Sequence, residues 1–404
     1  MIVTTGVEIA PIRYENPSAS PAGLAPVNGM RGVGYTPTTM PNVTRRVAAA
    51  VLIAASLALG QTVVPTPSPA QRAAGSKGGP RQYLDMPAEW YAGDEAKAVV
   101  KIVLTHQSSL GGWPKNIDTT AKPSALQPDK IKGTFDNNAT FDELRLLAKV
   151  HAATKDAMLV PPIERGIDLI LKSQYPTGGW PQSYPPDDSY HRYITFNDGS
   201  MARLLFFLKE VRDTDAFAFL DAGRREACRV AFDKGVDCIL KCQIKVDGKL
   251  TAWCAQHDEK DYRPREGRAF EPVSISGSES VGVVHLLMAV DKPTPQQIAA
   301  VDAAVAWFEA VKIPGIRTED RKTPGGEHEK DRFVIQDATA KPMWARFYEI
   351  GTNKPIFSDR DSVIKYSLAE IGHERRNGYR WLSYWPEDLL AKEYPAWKAK
   401  HPTP

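Results

Sequence analysis

Two near-identical tetrapeptides put acid and amide side chains at matching places in this chain: Thr134-Phe135-Asp136-Asn137 and Thr195-Phe196-Asn197-Asp198. Each opens an apolar run of helical period, ATFDELRLLAKV in the first case and GSMARLLFFLKEV in the second. Asp and Asn are preferred helix caps, but one residue caps one helix. An acid with an amide at each of two matching positions exceeds that need. Two carboxylates and an amide make a hard-oxygen set suited to Ca²⁺, which takes several oxygen ligands. The same carboxylates also fit a general acid and base flanking a glycosidic bond. Both chemistries stay open at this level.

Basic residues gather in loops of the C-terminal half. YRPREGRAFEPVSISGSES carries Arg263, Arg265 and Arg268, and IFSDRDSV sets Arg360 between Asp359 and Asp361. An arginine among acids is a ready ion pair, and its planar fork also matches a substrate carboxylate. Trp113, Trp180, Trp253, Tyr175 and Tyr184 lie in loops rather than on helical faces. They either plug the joints between helices or line a groove in which sugar rings stack on aromatic faces. The Pro-rich YPTGGWPQSYPPDD, with Gly178 and Gly179 allowing close backbone approach, suits a rigid binding loop. Oxygen ligands beside arginines and aromatic loops point to an acidic polysaccharide.

The elements that must position these groups are repeated. Residues 102–116 read IVLTHQSSLGGWPKN and residues 169–183 read LILKSQYPTGGWPQS, each followed by one of the tetrapeptides. A third copy, CILKCQIKVDGKLTAWCAQ, keeps the helix and the Trp but loses GGWP, and its following run opens at Ser274-Ile275-Ser276-Gly277. Gln107, Gln174 and Gln243 recur at intervals of 67 and 69 residues. A fourth unit around AVAWFEAVK fits the period in drifted form. From Asp94 onward, apolar residues fall near i, i+3, i+4 and i+7 in a series of segments, KPMWARFYEIG included. Helical hairpins repeating at this period cannot bury their apolar faces alone, so they stack or close. The expected fold is dominated by α-helix: an α/α toroid, an incomplete (α/α)3-type barrel of repeated hairpins with long loops and short β segments. Closure would bring Asp136, Asn137 and Asp198 to one end.

Composition is that of a globular protein, 42% hydrophobic and 25% charged. A net charge of +3 argues only weakly for an anionic partner, and no Lys/Arg-rich run with interleaved aromatics points to nucleic acid. Residues 1–39 are rich in Pro, Gly and Thr and are expected to be unstructured, with translation starting at Met40. Arg45-Arg46, the 14-residue run VAAAVLIAASLALG and its small-x-small end make residues 40–60 a Sec-type signal peptide. That run is too short to span a bilayer comfortably. The expected protein is therefore a secreted or periplasmic monomer without a stable membrane anchor. Residues 61–81 read as a disordered linker, leaving 82–404 as the catalytic domain. Cys228, Cys238, Cys242 and Cys254 permit disulfides in an exported chain. Cys238 and Cys242, four apart on a helix, are poorly spaced for bridging, and burial as small apolar residues is an equal reading.

On GGWPKN, TFDNNAT, TFNDGSM, TAWCAQHDEKDYRPREGRAFEPVSISGSES, MWARFYEIGTNKPIFSDRD and ERRNGYRW, the chain resembles the pectate lyases of polysaccharide lyase family 10. The resemblance runs from about residue 94 to the C-terminus. It implies calcium-assisted β-elimination on α-1,4-linked polygalacturonate, giving 4,5-unsaturated oligogalacturonides. It implies Ca²⁺ at Asp136 and Asp198, substrate at Asn137 and Arg360, and Arg268 of GRAFE as base. Lys115 of GGWPKN falls at the substrate without a specific task. An arginine base is awkward, because the guanidinium pKa exceeds about 12. Nearby cations, Ca²⁺ and Arg360 among them, are expected to favour its neutral form. Two other readings remain: an inverting glycoside hydrolase using Asp136 and Asp198 as acid and base, and a non-catalytic polysaccharide-binding solenoid.

Overall fold

Two kinds of helix alternate along the chain, and their sequences decide their places. In the computed structural model, which describes residues 78–323 and 326–402, the helices are α1 (Asp94–Thr105), α2 (Phe141–Thr154), α3 (Val160–Lys172), α4 (Ser200–Asp213), α5 (Ala222–Cys242), α6 (Glu279–Met288), α7 (Pro295–Ala310), α8 (His373–Gly378) and α9 (Tyr394–Lys398). Helices α1, α3, α5 and α7 bury one face and expose the other. Helices α2, α4 and α6 are buried over most of their surface. A helix buried nearly all round must be enclosed by others. The result is an inner set of helices wrapped by an outer set, the α/α toroid. Arg145 of α2 ties two inner helices together, donating to Glu210 of α4 at 2.7 Å and to Asp142 at 3.1 Å. Residues 1–39 and the segment 40–60 expected to be a signal peptide lie outside the described residues. Pro80–Tyr83 already form a 3-10 turn, and Arg81 comes within 3.7 Å of Asp142.

The repeat seen in the sequence is a repeated joint. The indole N–H of Trp113 donates to the Val103 carbonyl, Trp180 to Ile170, and Trp253 to Ile239, each at 2.8 Å. Each indole thus donates to a carbonyl in the last turn of an outer helix, where intrahelical donors run short. All three rings are at most 1% exposed, so they plug the joints and offer no face to sugar. The glutamines act as staples. Gln107 donates to Gly111 at 2.9 Å and to Pro162 of α3 at 2.8 Å. Gln174 donates to Gly178 and to Ala231 of α5, both at 2.9 Å. Gln243 donates to Thr251 at 2.8 Å and to Ala300 of α7 at 2.9 Å. Each amide therefore binds its own loop to the next outer helix.

The fourth unit keeps the joint in displaced form. Trp344 donates to the Phe308 carbonyl of α7 at 2.9 Å, across an inserted antiparallel hairpin of Ile316–Lys322 with Lys330–Gln336. The helix expected over KPMWARFYEIG is not formed. Trp344–Ala345 and Phe347–Tyr348 are short strands, the second pairing with both Ile275–Ser276 and Pro355–Ser358. A short run buried on every side carries no period by which sequence can tell helix from strand. The four cysteines are free, buried thiols, with Cys238 and Cys242 Sγ atoms 4.0 Å apart. They pack as small apolar residues.

Replacing Gln243 by Ala removes both staple hydrogen bonds and leaves the Thr251 carbonyl without its donor, while the Ala300 carbonyl keeps its place in the α7 ladder. We expect a loss of about 2–4 kcal/mol in chemical denaturation, with little change for an exposed control such as Lys97→Ala.

Candidate active site

Asp136, Asn137 and Asp198 do not cap the helices they precede. Asp136–Asn138 and Asn197–Gly199 are single 3-10 turns, and α2 is capped separately by Thr140 in a capping box with Glu143. Asn137 (φ 53°) and Asp198 (φ 51°) occupy the same left-handed position of the two turns. Asn and Asp tolerate that conformation better than other side chains, which explains why DN in one unit becomes ND in the next. Asp136 is 4% exposed. Its Oδ2 accepts from Lys115 Nζ at 2.5 Å, and its Oδ1 is buried with no hydrogen-bond partner. Asn137 donates to Asn116 Oδ1 at 3.1 Å. Asp198 accepts from Arg346 at 3.1 Å on Oδ1 and from Asn197 at 3.0 Å on Oδ2.

The third unit supplies its carboxylate differently, from Glu279 at the start of α6, and its SISG turn carries none. A Cβ on Gly277 would sit 2.2 Å from the Ala345 carbonyl oxygen, so no side chain fits. The Gly277 N–H instead donates to the Arg346 carbonyl at 2.9 Å. The tight turn admits the strand that carries Arg346, and Glu279, two residues on, accepts from that guanidinium.

Arg346 is the main site residue that the sequence reading missed. It is 7% exposed, and its Nη2 donates to Glu279 as well as to Asp198. Its guanidinium lies 4.6 Å from the Tyr379 ring centroid. Burial works against its charge, but Glu279, Tyr379 and Asp198 outweigh that and hold the group more firmly protonated than usual. A signal was available. The segments WPK, WPQ, WCA and WAR align on the four joint tryptophans, and Lys115 and Arg346 both fall two residues after Trp. Each meets an aspartate of one of the two tetrapeptides.

Arg268 lies beside this cluster. Its backbone N–H and Nη2 both donate to Glu271, at 2.9 and 2.5 Å, and Tyr379 donates to the same carboxylate at 2.7 Å. Tyr379 thus stands between Arg268, whose guanidinium is 5.6 Å from its ring, and Arg346. Burial pulls the Arg268 guanidinium down, but Glu271 outweighs it and drives the net shift upward. The expected easing toward a neutral arginine is therefore absent from this state, because a carboxylate rather than a cation is its immediate partner. Arg360 is largely exposed, held to Glu374 at 3.2 and 3.3 Å. Its guanidinium lies 5.7 Å from the Phe270 ring, against which Arg268 also sits at 4.8 Å. Tyr190, whose phenol is pushed up first by burial, feels the charges of Arg268, Glu271 and Asp136 together. The residues picked from sequence thus share one neighbourhood, and Glu271, Glu279, Arg346 and Tyr379 complete it.

Helical hairpins whose loops bring aspartates and arginines together at one end define a protein of the α/α-toroid class. The model of the pectic acid lyase family matches residues 107–390, and the chain belongs to that family, the pectate lyases of polysaccharide lyase family 10. Among solved structures, it is similar to a point mutant of a family 10 polysaccharide lyase from Cellvibrio cellulosa in complex with trigalacturonic acid. Identity is 33% over 76% of this chain and 97% of that one, with a TM-score of 0.64. It is likewise similar to the family 10 polysaccharide lyase from Cellvibrio cellulosa, at 31% identity over 82% of this chain and 99% of that one, with a TM-score of 0.65. No curated protein matches. Membership in a lyase family sets aside both the hydrolase and the non-catalytic solenoid.

Arg346→Lys keeps the charge but loses the planar fork that reaches Asp198 and Glu279 together. We expect turnover to fall about a hundredfold, in line with loss of a positioned charged donor, while the circular-dichroism melt stays within a few degrees of the parent.

Proposed function

We propose that this pectate lyase cleaves α-1,4-polygalacturonate by calcium-assisted β-elimination, with Arg268 as the base. The observation that carries the reading is the convergence of Asp136 and Asp198, from neighbouring units, with Arg268, Arg346, Arg360 and Arg375 around Tyr379 and Phe270.

Whether the residues suit Ca²⁺ is a question of oxygen supply. Among the described residues no three His, Cys, Asp or Glu side chains converge as a metal site. Asp136 does hold an unpartnered buried oxygen, and Asp198 lies one repeat away. Ca²⁺ takes about six to eight oxygens, so two aspartates fit a site that the uronate carboxylate and water must complete. Calcium bound there supplies positive charge that acidifies the C5 hydrogen of the sugar.

The remaining work falls to the chain. Arg360 is poised to receive a uronate carboxylate, since an exposed ion pair such as Arg360–Glu374 is worth only about 0–1 kcal/mol and exchanges readily. Lys115 and Arg346 hold Asp136 and Asp198 in fixed positions. Arg268, in its neutral form, takes the C5 proton. The C5–H electrons form the C4=C5 double bond, the C4–O bond breaks, and the leaving oxygen gains a proton from solvent. Products are a new end on one fragment and a 4,5-unsaturated uronide on the other. Export is part of the same reading, supported by the signal-peptide pattern at residues 40–60.

The direction of the Arg268 shift fixes the pH dependence. A base held above its usual pKa is scarcely deprotonated at neutral pH, and its neutral fraction grows about tenfold per pH unit. We expect kcat/KM, followed by the ultraviolet absorbance of the unsaturated product, to climb without a plateau from about pH 7 to about pH 10. A plateau near neutrality would point to a different base. Arg268→Ala should lose about three or more orders of magnitude in turnover; near-parental turnover would remove Arg268 from the role.

A further inference from the structure

A groove of about 540 Å³ opens beside the cluster, and the mechanism above does not use it. It begins at Lys115 and Thr134, the first paired with Asp136 and the second opening the TFDN turn, so it is continuous with the site. Three more lysines line it: Lys122, Lys130 and Lys132. All three are exposed. Lys130 comes no closer than 3.5 Å to its sequence neighbour Asp129, and Lys132 meets Asp187 of the next unit's loop at 3.2 Å. Lys122 makes no ion pair among the described residues. Between the lysines the lining is apolar, with Pro123 exposed and Ile117 and Leu126 exposed at 49% and 55%.

This wall is built, not merely present. His106 Nε2 lies 2.8 Å from the Lys122 carbonyl, and the Ser124 N–H donates to Thr105 Oγ1 at 2.9 Å. The Ser109 N–H donates to the Pro128 carbonyl at 2.9 Å, and Thr119 donates to Glu143 at 3.0 Å. The loop from residue 117 to residue 130 is thereby pinned to the end of α1 and the start of α2. A fixed wall holds the backbone that bears these lysines in place before any ligand arrives, which lowers the cost of binding.

Apolar patches between spaced ammonium groups match one chemistry well. A pyranose ring lays its C–H face on the apolar side chains while its carboxylate meets a lysine. We propose that the groove is a distal subsite that binds further uronate sugars of the same polysaccharide chain whose reacting sugar lies at Asp136, Asp198 and Arg268. The inference rests on the pectate reading of the site. It makes Lys122 and Lys130 determinants of chain-length preference. It also predicts that longer substrates gain through KM rather than through the chemical step.

The test compares polygalacturonate with trigalacturonate in the double variant Lys122→Ala/Lys130→Ala. A second double variant, Lys97→Ala/Lys392→Ala, removes the same charge from surfaces elsewhere. The ratio of kcat/KM on the long substrate to that on the short one should fall about tenfold in the groove variant, carried by KM, as expected for two lost contacts to carboxylates. It should hold within about twofold in the control, and the parent's preference for length should weaken as salt rises. An unchanged ratio in the groove variant, or an equal fall in the control, would overturn the subsite and leave the lyase reading intact. A parent enzyme that makes no unsaturated product from either substrate would overturn the lyase reading, and the subsite with it.

Discussion

One backbone contact, made three times, sets the geometry on which the site depends. Phe135 N–H donates to the Gln182 carbonyl at 2.9 Å, Phe196 to Ala255 at 2.8 Å, and Gly277 to Arg346 at 2.9 Å. In every case the acceptor stands two residues after the next unit's joint tryptophan. Each inner-helix entry is therefore docked on the following unit, by the second residue of TFDN and TFND but by the fourth of SISG, with the Trp and Gln contacts locking the outer side. Were that docking to slip by one residue, the tetrapeptide side chains would no longer meet the cations supplied two residues after Trp. The fold thus fixes the spacing of charges around the cleft, and the loops vary only in which charge they contribute.

Within that frame the units have specialised by steric and electrostatic trade. The first two turns carry carboxylates, and left-handed Asn137 and Asp198 show the same backbone solved by two related residues. The third turn has no room for a side chain at Gly277. The fourth unit sends Arg346 into the space instead, between Asp198 and Glu279. A buried arginine between two acids costs desolvation that its partners must offset, and removing either partner strands a charge at about 3–5 kcal/mol. That cost makes sense if the trio holds Asp198 for a ligand rather than stabilising the fold.

Much of the fold was legible because repetition shows itself in sequence. GGWP and the glutamine period mark the joint, and the two tetrapeptides fall where two inner helices begin. The fourth unit was obscured by the hairpin at 316–336, which separates Trp344 from its helix and hides the match to the other tryptophans. Arg346, Glu271 and Tyr379 act across long stretches of chain, and nothing local marks such contacts. The tryptophans could be read as either plugs or sugar platforms, since loop position alone does not report burial; their indole bonds to helix-end carbonyls decide it. Arg268 was legible as a residue but not in its state, because its nearest charge, Glu271, lies three residues on and reverses the influence expected of nearby cations.

In the proposed mechanism, two aspartates from adjacent units make half a cation site, which the uronate substrate completes. Isothermal titration of an Arg268→Ala protein, which should bind substrate without consuming it, tests this directly. We expect weak calcium binding alone, weak trigalacturonate binding alone, and much tighter binding of each in the presence of the other. By linkage the two enhancements must be equal. Tight calcium binding without sugar, or trigalacturonate affinity unmoved by calcium, would contradict it.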